Sequence, residues 1–311
     1  MLRKPRSVQL ADNEILLIHL GGLGDVCLSE SAFLSLRNHF GNTIVAVGTK
    51  RFFHLFPGYF LRIHGVESRH WLYLFSEEAT VIKWKRVIFI GKDREGKLRR
   101  RWQGISLDPM IFIDMYPENQ FGVRSFEFGV QPETAPDNIS HIAWRMAQSD
   151  EEKQVMHVEE HQLAQLAQFN IEPVKKEIPW RKSPRVILYP EKGFEKKKWE
   201  LENFVTLYGS LRSKGVQAQI MIPAGLQVDM PGAISIDDLN DVRSFFEAGG
   251  VFVSNDSGMA HLAGASGLFT ITIFTDYDPR VWHPRGTNVS LKRGKDPVDC
   301  NVIETIILNV I

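Results

Sequence analysis

Cysteine is scarce in this sequence: Cys27 and Cys300 are the only two in 311 residues, and they stand at opposite ends of the chain. That excludes a disulfide framework and a cysteine-rich metal site, and the expectation is two buried free thiols. Charge of one sign is missing as well, since 37 lysines and arginines balance 37 aspartates and glutamates. With no global field to draw in nucleic acid, none is expected as a partner, and any electrostatic recognition has to be local. Long apolar runs are also missing, and none approaches the roughly 18 residues that a membrane span requires. The first residues, MLRKPRSVQLADNE, are basic but lack the apolar core and small-residue cleavage site of a secretion signal. The expected location is cytoplasmic.

What is present is an ordinary globular composition, 43% hydrophobic and 24% charged. The length favours two domains of roughly 100–200 residues each. In the first half, Ile15–Leu20 reads as a buried strand and Val26–Phe40 as a helix, followed by strands at Thr43–Val47, Val87–Ile90 and Ile111–Ile113. His157–Phe169 reads as another helix. The segment NIEPVKKEIPWRKSPR then carries three prolines and five basic residues without periodicity, and marks a linker. The pattern restarts with strand Val186–Leu188, helix Glu202–Lys214, strand Gln217–Ile222, helix Asp237–Ala248, strand Val251–Ser254, a short helix after Asp256 and strand Thr270–Phe274. Alternation of this kind predicts parallel sheets. The expected division is a first domain over 1–172, a linker over 173–184 and a second domain over 185–311.

The first strand runs into a glycine turn, IHLGGLGDVCLSESAF. Glycine between strand and helix lets backbone approach a ligand closely at the carboxyl edge of a parallel sheet. The dinucleotide fingerprint fails, because Cys27 stands where its third glycine or alanine belongs and Asp25 would repel a pyrophosphate on that helix end. A P-loop fails too, since no Gly-Lys-Ser/Thr follows. Asp25 is either a helix cap or a carboxylate at a cleft edge able to take a proton from a hydroxyl, and the two roles are compatible. In the second half, VFVSNDSGMAHLAGASG ends a strand at Asn255-Asp256 and opens a helix with small residues, whose N–H groups suit a diphosphate. Taken alone, Asp256 and Ser257 would read as caps and His261 as a core histidine.

Four motifs in order, ILLIHLGGLGDVCLSESAFLSLRNHFG, VILYPEKGFEKKKWELENFVTLYGSL, NDSGMAHLAGASG and ITIFTDYDPRVWHPRG, resemble glycosyltransferase family 9, the heptosyltransferases of the lipopolysaccharide inner core. The resemblance covers nearly the whole chain. It implies a GT-B fold, two Rossmann-like α/β domains with parallel sheets facing across a cleft, the acceptor on the first and the ADP-heptose donor on the second. It further implies Asp25 as general base, with Gly22 and Gly24 admitting the acceptor sugar. Lys197 matches the lysine that neutralises the leaving diphosphate, beside Lys192 and Gly193 in the same loop. Asp256, Ser257, Gly258, Met259 and His261 match the donor motif, and Thr275 and Asp276 fall in the loop after the next strand. Two departures stand out: His19 replaces a common arginine, and Glu191-Lys192 replaces small or hydroxylated residues.

An inverting displacement needs one base and positive charge on the leaving group, so the motifs imply neither a cofactor nor a metal. The run GKLRRRWQG adds Arg99, Arg101 and Trp102 as acceptor residues, arginine forks for acidic groups and an indole face for a sugar, the alternative being a solvated loop. The partners expected are ADP-heptose or another nucleotide sugar and a lipid-linked acidic oligosaccharide, with peripheral contact at the inner membrane. Competing readings are a GT-B transferase with a different sugar donor, a non-catalytic binding relative and, more distantly, a dehydrogenase.

Overall fold

The computed structural model describes residues 9–76, 82–117, 129–130, 155–191, 199–223, 232–294 and 296–311, with 9–12 and 129–130 by backbone alone. The chain divides into two compact units, Met1–Pro117 with Val158–Lys176, and Glu118–His157 with Glu177–Ile311.

Unit one contains β1 (Gln9–His19), α1 (Leu23–Leu28), α2 (Glu30–Phe40), β2 (Ile44–Gly48), α3 (Lys50–Phe53), β3 (Arg62–Gly65), β4 (Ile82–Gly91), α4 (Lys97–Gln103), β5 (Ile111–Asp114) and α5 (Val158–Ala167). Its sheet has the order β3-β2-β1-β4-β5 and is parallel throughout. β1 lies at the centre, which is why Ile15–Ile18 form a continuous apolar run, every one buried. The strand order reverses at β1, so the crevice beyond its carboxyl end is where this topology places a site. β5 is one of the two edges among the described strands, and its last residue is closed by a side chain. The Gln165 carboxamide accepts from the Asp114 N–H at 2.8 Å and donates to the Asp114 carbonyl at 2.9 Å. Ser31 of α2 donates to the buried Glu159 of α5 and accepts from the Lys176 N–H at 2.9 Å, fastening the first half of the proline-rich segment.

Unit two contains β6 (Gly129–Val130), β7 (Arg185–Tyr189), α6 (Leu201–Ser213), β8 (Gln217–Ile222), β9 (Ile234–Ser235), α7 (Leu239–Phe246), β10 (Val251–Asn255), α8 (Gly258–Ala265), β11 (Phe269–Phe274), α9 (Pro279–Trp282), β12 (Asn288–Lys292) and α10 (Cys300–Val310). The sheet order is β6-β12-β11-β10-β7-β8-β9, with only β6 antiparallel among the pairs described. The buried residues Val253, Ile271, Val289, Phe204 and Ile303 form its core on the α6 and α10 side.

Parallel α/β units are what the alternation predicts. Three particulars differ. The helix expected over Val26–Phe40 is broken at Ser29, where ψ is 1° and the hydroxyl joins the Ser29 N–H on the Asp25 carbonyl, at 2.8 Å and 3.0 Å, a side-chain bond back to the preceding turn that bends a helix. GKLRRRWQG is the helix α4 rather than a loop, opened by Gly96 in a left-handed conformation with φ of 65°. Cys27 is buried, but Cys300 is only half-buried at the start of α10.

Candidate active site

The carboxyl ends of β1, β4 and β5 bring together residues that are far apart in sequence. After β1 the chain turns through Gly21 and Gly22. A Cβ at Gly21 would lie 2.6 Å from the Asp25 Cβ and 2.8 Å from the His19 ring, so only glycine fits. Gly22 is the cap residue of α1, and Asp25 is its third helical residue, not the cap itself. The Asp25 Oδ2 reaches back to accept the Gly22 N–H at 2.8 Å. Its other oxygen, Oδ1, accepts the phenol hydroxyl of Tyr116 at 2.7 Å. Tyr116 follows β5, and the ammonium of Lys92, which follows β4, lies 4.8 Å from its ring centroid. Burial raises the pKa of Asp25 above the ordinary carboxylate value, and the hydrogen bonds from Tyr116 and Gly22 only partly oppose it.

His19 is the floor of this turn. It is fully buried, and burial lowers its pKa to about 3, so it is neutral. Its tautomer follows from its neighbours. Because the Ser29 hydroxyl donates to Asp25, its oxygen accepts from His19 Nε2–H at 3.1 Å, while Nδ1 accepts the Gly21 N–H at 3.2 Å. A neutral histidine therefore sets both the turn and the α1–α2 break. Removing the Tyr116 hydroxyl removes a bond that favours the ionised carboxylate. In Tyr116→Phe the Asp25 carboxyl, followed by carbon NMR, should titrate at higher pH than in wild type; an unmoved or lower midpoint would break the link.

α4 follows β4 in unit one. Trp102 is fully buried, its indole N–H donating to the Leu74 carbonyl at 2.8 Å and its ring against Phe89 and Phe75. That corrects the expected sugar-stacking role, because the indole is a core side chain with no face for a ligand. Arg99 is exposed, with its guanidinium 3.9 Å above the Phe112 ring and its N–H on Asp93. Arg101 is half-buried. Arg99 borders a groove of about 710 Å³ along β5, shared with Gln103, Phe112, Gln165 and Gln168. The hydrogen bonds to the Asp25 carboxylate come from Gly22 and Tyr116, not from α4.

In unit two β11, β10 and β7 are adjacent, so Asp256 after β10 and Thr275 after β11 leave the sheet at the same edge. Lys192, Gly193 and Lys197 follow β7 and lie outside the described residues. Their segment ends at Trp199, whose N–H donates to the Asn255 side chain at 2.9 Å and whose carbonyl accepts from the same side chain at 3.2 Å. Asn255, at the end of β10, thus holds the Trp199 backbone from both sides. Asp256 follows it, and Ser257 caps α8 by accepting the Ala260 N–H at 3.3 Å, with Gly258 and Met259 half-buried beside it. His261 is buried with its pKa lowered to about 3, mainly by desolvation, so its 3.8 Å approach to Asp256 is a neutral contact rather than an ion pair. Gly264 lets α8 close on the loop before β12, as a Cβ there would meet the Arg285 carbonyl at 2.3 Å. Thr275 is half-buried and Asp276 exposed in the turn after β11.

Sequence reasoning overlooked Tyr116, Lys92 and Asn255. The strands themselves were the available signal for the first two, because residues just past parallel strands β4 and β5 must share an edge with Asp25.

Residues 139–304 match the sequence pattern of glycosyltransferase family 9 (heptosyltransferase). Among curated protein sequences none matches the chain. Among solved structures, the E. coli heptosyltransferase WaaC with ADP is similar at 15% identity and a TM-score of 0.63, over 96% of this chain and 100% of that one. Glycosyl transferase family 9 from Veillonella parvula is similar at 13% identity and a TM-score of 0.59, over 99% and 95%. E. coli ADP-heptose lps heptosyltransferase II is similar at 14% identity and a TM-score of 0.56, over 96% and 98%. At these identities the structures bear on the fold, two parallel-sheet α/β units of the GT-B class. Among the described residues no helix is long and apolar enough to cross a membrane.

Proposed function

This chain belongs to glycosyltransferase family 9, the heptosyltransferase family, and from that premise we propose that it is an inverting, metal-independent transferase moving heptose from ADP-heptose to a lipid-linked acidic oligosaccharide of the lipopolysaccharide inner core. The observation that carries the reading is Asp25, a carboxylate at the carboxyl end of the central strand whose pKa is raised by burial and whose two oxygens are oriented by Tyr116 and Gly22. A carboxylate with a raised pKa is, in its ionised form, a stronger base than a free one.

In this mechanism the acceptor hydroxyl gives its proton to Asp25 as its oxygen attacks the anomeric carbon. The bond from that carbon to the diphosphate breaks, and ADP departs with the electron pair. Lys197, with Lys192 and Gly193, takes up the developing charge together with the N–H groups opening α8 at Ser257, Gly258 and Met259. Asp256, His261, Thr275 and Asp276 contact the rest of the donor. Gly22 and Gly24 give the acceptor room, and Arg99 and Arg101 offer guanidinium groups to its acidic substituents. The enzyme works in the cytoplasm, at the inner face of the membrane that carries its acceptor. The solved relatives holding ADP and ADP-2-deoxy-2-fluoro heptose support a nucleotide sugar as ligand.

A thermal-shift panel tests the donor. ADP at a hundred times its dissociation constant should stabilise the protein by about 2.7 kcal/mol if only the folded state binds. Stabilisation by UDP or GDP with none by ADP would replace ADP-heptose by another nucleotide sugar. Transfer to core oligosaccharide, followed by mass spectrometry, tests the reaction itself, and absence of any product with all nucleotide sugars would leave a binding protein.

A further inference from the structure

Lys292, the last residue of β12, is buried to within 8% of full enclosure. Lysine is seldom buried unless its charge is used. Here Nζ donates to the Tyr277 carbonyl at 2.7 Å, and the next residue, Arg293, donates its N–H to the Phe274 carbonyl at 2.8 Å. The end of β11 and the third residue of the turn after it are thereby both tied to the end of β12. That turn is acidic. Desolvation is the main influence on Lys292 and disfavours its charge, but Asp276, Asp278 and, just after β10, Asp256 all favour it. Asp278 also holds Arg280 at 2.9 Å. The edge assigned to an anionic diphosphate thus carries three carboxylates, and the buried ammonium is set among them.

We propose that Lys292 is a positioning residue for the donor: it holds the 275–278 turn in place and offsets the carboxylates of Asp256, Asp276 and Asp278, so that a nucleoside diphosphate can approach the start of α8. This rests on the reading of unit two as the donor unit. Lys292 touches the turn and not the reacting atoms, so its loss acts on donor affinity first. An ammonium-to-carbonyl hydrogen bond and a lost opposing charge correspond to a weakening of about tenfold or more.

The test is calorimetric titration of wild type, Lys292→Met and Lys292→Arg with ADP at two salt concentrations, together with steady-state kinetics in ADP-heptose and acceptor. Lys292→Met is expected to bind ADP about tenfold more weakly and to raise the donor KM, with the acceptor KM unchanged and a deficit that shrinks at high salt, where repulsion is screened. Lys292→Arg should recover most of the affinity. A folded Lys292→Met with wild-type ADP affinity and donor KM would overturn the proposal. So would equal loss in both variants with a collapsed melting transition and no donor-selective effect, which would make Lys292 a packing residue alone. Wild type that binds no ADP would overturn the donor assignment itself, an outcome read before any variant is compared.

Discussion

Asp25→Asn is expected to reduce turnover by about 10²–10⁴-fold while leaving the fold and donor affinity in place. The amide oxygen can still accept one of the two bonds now made by Gly22 and Tyr116, so the α1 turn persists. What disappears is the ability to take a proton. The wild-type pH profile carries a matching sign: the base works only when ionised, so activity falls as pH drops through the folded pKa of Asp25. Because that pKa is raised, the acid limb should lie at higher pH than for an unperturbed carboxylate. Measured kcat values of Asp25→Asn close to wild type, or an acid limb at or below the ordinary carboxylate range, would remove Asp25 from the chemistry.

Trp102→Ala is expected to cost about 3–5 kcal/mol of unit-one stability, the range for emptying a large core site. The indole is fully enclosed between Phe89 and Phe75 and its N–H satisfies the Leu74 carbonyl, so truncation opens a cavity and strands an acceptor. Urea unfolding should show the loss as a lower midpoint at similar slope. A loss below about 1 kcal/mol, with an altered acceptor KM, would instead return Trp102 to a ligand-facing role.

Those two residues show what sequence makes legible and what it hides. Central strands were readable because burial on both faces demands an unbroken apolar run, as at Ile15–Ile18 and Val251–Val253. Asp25 was noticeable because a carboxylate after a glycine turn contradicts the nucleotide motifs it otherwise resembles. Tyr116 was not, since it reaches Asp25 across 91 positions and only the pairing of β1, β4 and β5 makes them neighbours. Trp102 was misread for another reason. Its three preceding arginines drew attention to charge, whereas Leu98, Trp102 and Ile105 carry the helical spacing of a buried stripe, and the structure packs all three against one core. Lys292 had no sequence signal at all, because nothing in a strand's wording shows that its final residue is enclosed by an acidic turn.

The Gln165 carboxamide on Asp114 has a consequence for how this protein behaves in concentrated solution. An open strand edge is a template for another chain, and long-lived proteins blunt such edges to avoid self-association. A carboxamide offers one donor and one acceptor at nearly the spacing of a peptide group, so at Asp114 the sheet meets a single imitation rung supplied by its own helix. A carboxylate could copy only the accepting half, and an apolar side chain neither. Resistance to edge-to-edge aggregation at this rung thus depends on a group that has no part in the chemistry.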